Sequence, residues 1–465
     1  MPRTTIIEGG TLVTHETQLR ADLIITADRI SGIVSDARGI FADERIDATG
    51  KLVLPGGIDV HTHFREPEEF TKEGFTTGSN AAAAGGITSV VEMPQADPTT
   101  VTGDQLQEKR MRIGKTAIVD MALWGGIVGE SRQKPEAIRE MASLGAVAFK
   151  SFMASSSPSF PAVDVDKLYS AMQVVAGTGL PYGLHAEDDV MLSAGLRRTQ
   201  DAGRTDPMAH AESRPPIVEA VAVANALHLA EVTGCWVHIC HCASADALRQ
   251  VAEARARGVK VTVETCPQYL ALNTDDLVRL RGFARCAPAL RSQTEVDAIW
   301  PYVLDETVDL ICSDHCGFTA ESKAAGADDI FKAPLGLAGV QTLLPSFFDT
   351  AVNQRGMALP QFVRQIATNP AQIFGLYPRK GSIAIGADAD VIVLDPKKEW
   401  VATGEEMLHR QKWTPFEGKT IKSRVLRTLR RGETIYDDSL EGDARIPGVP
   451  GSGRFLARGY GDRDY

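Results

Sequence analysis

Two histidines one residue apart, His61 and His63, close the apolar run Pro55-Gly56-Gly57-Ile58-Asp59-Val60. In a strand, residues i and i+2 point to the same side, so the two imidazoles share a face. Two imidazoles so placed can grip one metal ion. An isolated pair reads equally well as surface histidines beside a turn, so the decision rests on the ends of other strands. Four further apolar runs end in suitable groups: Lys150 in Ala148-Phe149-Lys150-Ser151-Phe152, His185 in Gly183-Leu184-His185, His241 in His238-Ile239-Cys240-His241, and Asp314 in Cys312-Ser313-Asp314. Each has an ordinary reading as a salt-bridged lysine, a packed histidine or a helix-capping aspartate. Six such groups on five strand ends are poorly explained as packing and point to a metal centre.

Lys150 fits that chemistry in a particular way. Among histidines and metal charge an ammonium is disfavoured by desolvation and repulsion. An amine with a lowered pKa can take up carbon dioxide as a carbamate, a carboxylate-like group able to bridge two metals. His238 precedes His241 by an odd offset, which predicts the opposite face and a packing or supporting role. The same alternation turns Cys240 and Cys242 away from His241 and into the core.

These groups need a scaffold that gathers strand ends. Eight apolar segments read as strands: Leu52 to Val60, Ile87 to Met93, Ala117 to Leu123, Ala146 to Phe152, Tyr182 to His185, Trp236 to His241, Val259 to Val263 and Val308 to Cys312. Helical patterns fall between them at Pro135 to Leu144, Asp164 to Ala176, Ala245 to Arg257 and Gln293 to Leu304. Alternation of this kind predicts an α/β fold with a (β/α)8 barrel over residues 55–379, whose active sites gather at the C-terminal ends of the strands. A doubly wound sheet would want a glycine-rich loop after an early strand, and Gly85-Gly86 precedes a strand instead. Short alternating segments at 1–54 and 380–440 predict one small β-sandwich built from both termini, and residues 441–465, rich in Gly and Pro, an extended or partly disordered C-terminal tail.

The 465 residues, 43% hydrophobic and 23% charged, suit one large barrel with a smaller companion. A net charge of −11 argues against nucleic acid as a partner. No apolar run reaches the roughly 18 residues of a membrane span, and Met1-Pro2-Arg3-Thr4-Thr5 does not read as a signal peptide. The seven cysteines are an odd number, and Cys235, Cys240, Cys242 and Cys266 sit in apolar strand-like text, which predicts reduced, mostly buried thiols and a cytoplasmic protein.

The chain resembles the amidohydrolase superfamily in its cyclic-amidohydrolase branch: allantoinases, hydantoinases, dihydropyrimidinases and dihydroorotases. The matching text is Pro55-Gly56-Gly57-Ile58-Asp59-Val60-His61-Thr62-His63, Ala83-Ala84-Gly85-Gly86-Ile87-Thr88, Phe149-Lys150-Ser151-Phe152-Met153, His185-Ala186-Glu187, Glu264-Thr265-Cys266-Pro267-Gln268-Tyr269-Leu270 and Ser313-Asp314-His315. The resemblance implies that His61, His63 and Asp314 hold one zinc ion, His185 and His241 a second, and that carbamylated Lys150 and a hydroxide bridge them. Asp314 would take the proton of the attacking water and return it to the ring nitrogen. It also implies a small cyclic amide as substrate and a homo-oligomer, dimer or tetramer.

The ring is less plainly written. Ala367-Thr368-Asn369-Pro370-Ala371-Gln372 and His409-Arg410-Gln411-Lys412-Trp413-Thr414-Pro415-Phe416 resemble allantoinases. Ser155 stands where dihydropyrimidinases carry a tyrosine. Arg65, in His63-Phe64-Arg65-Glu66-Pro67, resembles the dihydroorotase arginine that binds a carboxylate, a task suited to a guanidinium fork. Its plainer role is a salt bridge to Glu66, Glu68 or Glu69. Gln95 replaces the asparagine expected of dihydroorotases, and Gly317-Phe318 replaces their second histidine. Arg65, Gln95 and Ser155 are therefore the expected substrate contacts of an allantoin- or hydantoin-like ring opener, with dihydroorotase as the alternative. A scaffold protein that has lost its metals and a mononuclear deaminase are further readings; all six ligands and Lys150 respectively count against them.

Overall fold

The computed structural model describes residues 2–66, 73–129, 133–155 and 157–460. Its centre is a sheet of parallel strands: β1 (Gly57–His63), β2 (Ile87–Glu92), β3 (Asp120–Gly126), β4 (Ala148–Phe152), β5 (Tyr182–His185), β6 (Val237–Ile239), β7 (Val261–Thr265), β8 (Leu310–Ile311) and β9 (His315–Cys316). Neighbours follow chain order from β1 to β8, and β9 returns to pair with β1. β8 and β9 are two halves of the eighth barrel strand. The first pairs with β7 through Thr265 and Ile311, the second with β1 through His315 and Thr62, so the chain closes the ring across Asp314. Every residue of β1 to β6 is buried, which explains their near-continuous apolar text.

The predicted helices form at Pro135–Ser143, Val165–Ala176, Ala245–Ala256 and Gln293–Leu304. Asp164, Ser244 and Ser292 cap three of them by accepting the amides of Lys167, Ala247 and Glu295. The helices bury Leu168, Val175, Val251 and Ile299 against the outer face of the sheet.

Both chain ends supply the small sandwich. One sheet has four strands, all from residues 4–47; the other has six, where Val391–Val401 pairs antiparallel with Leu52–Pro55 and with Thr420–Arg430. Between them Ile7, Leu23, Ile25, Val53, Val391 and Leu429 form a separate core.

Two of the departures from the expected strand limits have a visible local cause. The segment from Leu52 to Val60 is two strands, not one: Leu52–Pro55 belongs to the sandwich and Gly57–His63 to the barrel. Pro55 and the two glycines that follow allow the change of sheet, and a side chain at Gly56 would meet Thr88 at 2.2 Å. The sixth strand stops at Ile239, because His241 turns to φ 36°.

The tail described to residue 460 is extended and docked. Met121 N donates to Arg454 O and Leu456 N to Met121 O, at 2.9 and 2.8 Å, while Leu456 and Tyr460 are buried. Residues 461–465 lie outside the described part. The stretch Pro207–Thr233 is long and apolar enough by composition to cross a membrane. It is broken between Pro207–Ser213 and Ile217–Thr233, and the longer piece buries Val218, Ala222, Val223, Ala226 and Ala230, as a barrel helix does. All seven cysteines are free and buried.

Candidate active site

The ends of β1, β4, β5, β6 and the break between β8 and β9 meet at one mouth of the barrel. His61 and His63 end β1, and the Nε2 atoms of both stand 3.3 Å from Asp314 Oδ1. Two ligands about 2.1 Å from one metal at a tetrahedral angle lie roughly 3.4 Å apart, so this spacing suits a shared ion. His185 Nδ1 and His241 Nε2 face each other at 3.0 Å, and the His61 and His241 rings have centroids 5.1 Å apart. Two donor sets thus lie side by side.

Lys150 lies in β4, fully buried, and its Nζ has no hydrogen-bond partner among the described residues. The ring of Phe152 lies 5.1 Å away. An unpaired buried ammonium is costly, and the cost disappears once the amine carries an anionic group that ligates metal. The donor set fits a pair of divalent ions.

Backbone strain aims part of this set. Asp314 and His241 have φ of 50° and 36°, in the left-handed region that costs a non-glycine residue about 1–3 kcal/mol. His241 consequently does not obey the alternation of a strand, and the odd offset from His238 fails to separate the two. His238 turns to Glu264, meeting Oε2 at 3.1 Å through Nε2.

Glu264, at the end of β7, is the main group that residue-type reasoning missed. Its Oε1 accepts the Nδ1 of His61 and the amide of His241. Glu264 and Cys312 also lie close enough to His61 to form a possible ligand group. Glu264, however, engages the nitrogen of His61 that faces away from Asp314, which makes it the orienting carboxylate of a ligand, and Cys312 Sγ contacts Cys266 Sγ at 3.6 Å. Glu187 plays the same part for His185, meeting Nε2 at 2.8 Å with Arg214 at 3.7 Å behind it. Glu92 accepts Thr62 Oγ1 and the amides of Phe64 and Arg65, fixing the turn that follows β1. An acid at or just beyond the C-terminal end of a buried strand was the signal in each case.

The electrostatics suit groups that could hold cations. Burial pushes His63 down to about 3 and holds His185 and His241 below their ordinary values, so all three are neutral donors at pH 7. Burial opposes protonation of His61 too, but Glu264 and Asp314 together outweigh it and lift the imidazole to about 10; a proton and a metal compete for Nε2. Burial would raise Asp314, yet His61, His63 and His241 hold its carboxyl well below the carboxylate range.

A cavity opens over these groups. Arg65, Gln95 and Ser155 all line it, together with His63, His185, His241 and Asp314. The Arg65 guanidinium lies 4.8 Å from the Phe318 ring centroid. Glu66 contacts Arg112 at 3.8 Å, while Glu68 and Glu69 lie outside the described residues. Ser155 is exposed and donates its amide to Asp189.

Comparison with known proteins places this arrangement. Residues 52–435 match the amidohydrolase family. A relative described as allantoinase from Rubrobacter xylanophilus is 40% identical over 97% of both chains. One of the same description from Escherichia coli is 34% identical over 93% of this chain and 95% of its own. Among solved structures, an L-hydantoinase (dihydropyrimidinase) from Arthrobacter aurescens superposes with a TM-score of 0.93 at 32% identity, covering 98% of this chain and all of its own. A dihydropyrimidinase from Brevibacillus agri gives 0.90 at 30%, over 99% of this chain and 100% of its own. With the fold, the matched span and these relatives in agreement, the chain belongs to the amidohydrolase family.

Proposed function

We propose that the protein is a binuclear zinc hydrolase that opens the ring C–N amide bond of a cyclic ureide, allantoin or a hydantoin of similar shape. The observation that carries this reading is Lys150: a fully buried amine with no partner among the described residues, at the barrel mouth that also gathers His61, His63, His185 and His241. His61, His63 and Asp314 would hold one zinc, His185 and His241 the other, and a carbamate on Lys150 both. The metals, when bound, lower the pKa of water to give a nucleophile near neutral pH and polarise the target carbonyl. Asp314 reaches into the cavity between the two donor sets and is the group placed to take the proton of the attacking water. It returns that proton to the ring nitrogen as the C–N bond breaks, leaving a carboxylate and a free amide nitrogen. Glu264 and Glu187 hold the imidazoles so that their lone pairs face inward.

The ureide ring is favoured by the two relatives described as allantoinase, which match nearly the whole chain. Arg65 on the cavity wall supports the second reading, dihydroorotase, whose ring carries a carboxylate. Zinc-loaded protein assayed side by side on allantoin, hydantoins, dihydrouracil and dihydroorotate decides between them. Turnover of allantoin or a hydantoin is expected; turnover of dihydroorotate alone replaces the first reading by the second, and turnover of none removes both.

A further inference from the structure

Lys323 has no part in the site described above, yet it is the most fully committed lysine near it. It lies on the short helix Ala320–Ala324 and its side chain is completely buried. No carboxylate pairs with it among the described residues. Its ammonium donates instead to three main-chain carbonyls: Arg285 O at 2.9 Å, Pro334 O at 2.9 Å and Gly336 O at 2.8 Å. Those bonds use all three N–H groups of the ammonium. Burial pulls the amine down to about 7.

The three carbonyls belong to two segments, 285–288 and 334–337, that are far apart in sequence. Both reach the active-site cavity, where they contribute Ala287, Leu335 and Gly336. None of these three has a polar side chain, so this wall can meet the polar edge of a ring only with main-chain amides and carbonyls. Its shape is therefore set by where the backbone is held. Gly336 N donates to Arg285 O at 3.1 Å, and Cys316 N on β9 donates to Leu337 O at 2.7 Å. Gly336 sits at φ 144°, where a Cβ would stand 2.6 Å from that of Cys316. The wall is thus drawn tightly onto the strand that follows Asp314, with Lys323 as the rivet between its two halves.

We propose that Lys323 is a positioning residue, whose ammonium clamps segments 285–288 and 334–337 together and so sets the main-chain wall against which the substrate ring is held. The inference rests on the cyclic-amide reading for its substrate, but the clamp itself does not. Two measurements separate them, made on the zinc-loaded full chain. Amide hydrogen exchange of Lys323→Met is expected to lose protection in 285–288 and 334–337 while the barrel strands keep theirs. Steady-state kinetics on the ring substrate that the wild type turns over are expected to show KM raised about tenfold or more with kcat changed far less, because a hydrogen-bonded charge that shapes binding is lost. Lys323→Gln, which keeps an amide donor, falls between the two. Unchanged exchange in both segments overturns the clamp whether or not any ring is turned over. Changed exchange with an unchanged KM confines Lys323 to stability and overturns the positioning role. Failure of both variants to fold does the same. A wild type that opens no ring of the panel removes the functional reading alone.

Discussion

Glu264 stands directly behind His61, its Oε1 on the Nδ1 of the imidazole, while its Oε2 meets His238 at 3.1 Å. One carboxylate therefore fixes the direction of two imidazoles, one on β6 and one on β1. With Nδ1 bound to Glu264, the Nε2 of His61 is the nitrogen left for a cation, on the side of Asp314.

Loss of that support is felt at the metal. Glu264→Gln keeps the volume and removes the charge, so metal affinity is expected to fall about 10- to 100-fold. Competition against a coloured chelator measures it. Unchanged affinity would show that Glu264 serves the fold alone.

Lys150→Ala is expected to lower kcat by on the order of 10³-fold or more, since several kcal/mol of metal-derived stabilisation go with the bridging group. Metal analysis should fall from two zinc ions toward one. A short carboxylic acid added to the variant replaces the missing anion and is expected to restore part of the rate. Full activity and full metal in Lys150→Ala would favour a mononuclear site instead.

The barrel was legible because buried parallel strands write continuous apolar runs, and four helices between them carry clear periodicity. The six residues gathered at the barrel mouth were legible because His, Lys and Asp are conspicuous at the ends of such runs. What escaped was anything set by backbone direction. Alternation assumed that the strand continued through His241, whereas a left-handed residue there turns the side chain inward. The division of Leu52 to Val60 between two sheets is likewise a tertiary choice that local pattern does not encode. Glu264, Glu187 and Glu92 read as ordinary acids until their partners, up to 203 residues away, are known.

Stability rests partly on a charged cluster where barrel, sandwich and tail meet. Lys380 Nζ lies 2.7 Å from Asp120 at the start of β3, 2.8 Å from Asp390 and 3.1 Å from Asp388, all buried. Burial alone would lower the lysine; the three carboxylates raise it above its ordinary value instead. Arg431 still pairs with Asp120, and Arg379 and Arg29 with Asp388, so Lys380→Met strips its cation chiefly from the buried Asp390, and breaking that pair is expected to cost about 3–5 kcal/mol in denaturant unfolding. A group whose folded pKa is raised stabilises fully below its unfolded pKa and loses that contribution above it. The gap between wild type and variant should therefore narrow above roughly pH 10.5. A gap that widens there would assign the stability to other groups.

Arg65 decides how far the cavity is built for an anion. Arg65 lines the cavity together with His63 and Asp314, and its guanidinium lies over the Phe318 ring, 4.8 Å from the centroid. Arg65→Met keeps the apolar stem and removes the fork. For a neutral ureide the change deletes a contact without leaving a buried anion unpaired, so kcat/KM on allantoin or hydantoin should drop less than about tenfold. For a ring bearing a carboxylate the bidentate partner is lost, and a fall of about 100-fold or more is expected, most of it in KM. Measuring both substrates on both proteins gives a ratio that does not depend on enzyme concentration or metal loading. A large loss confined to dihydroorotate would make the anionic ring the natural substrate, whereas a small loss on every ring would leave Arg65 as part of the cavity wall and the neutral ureide as the substrate.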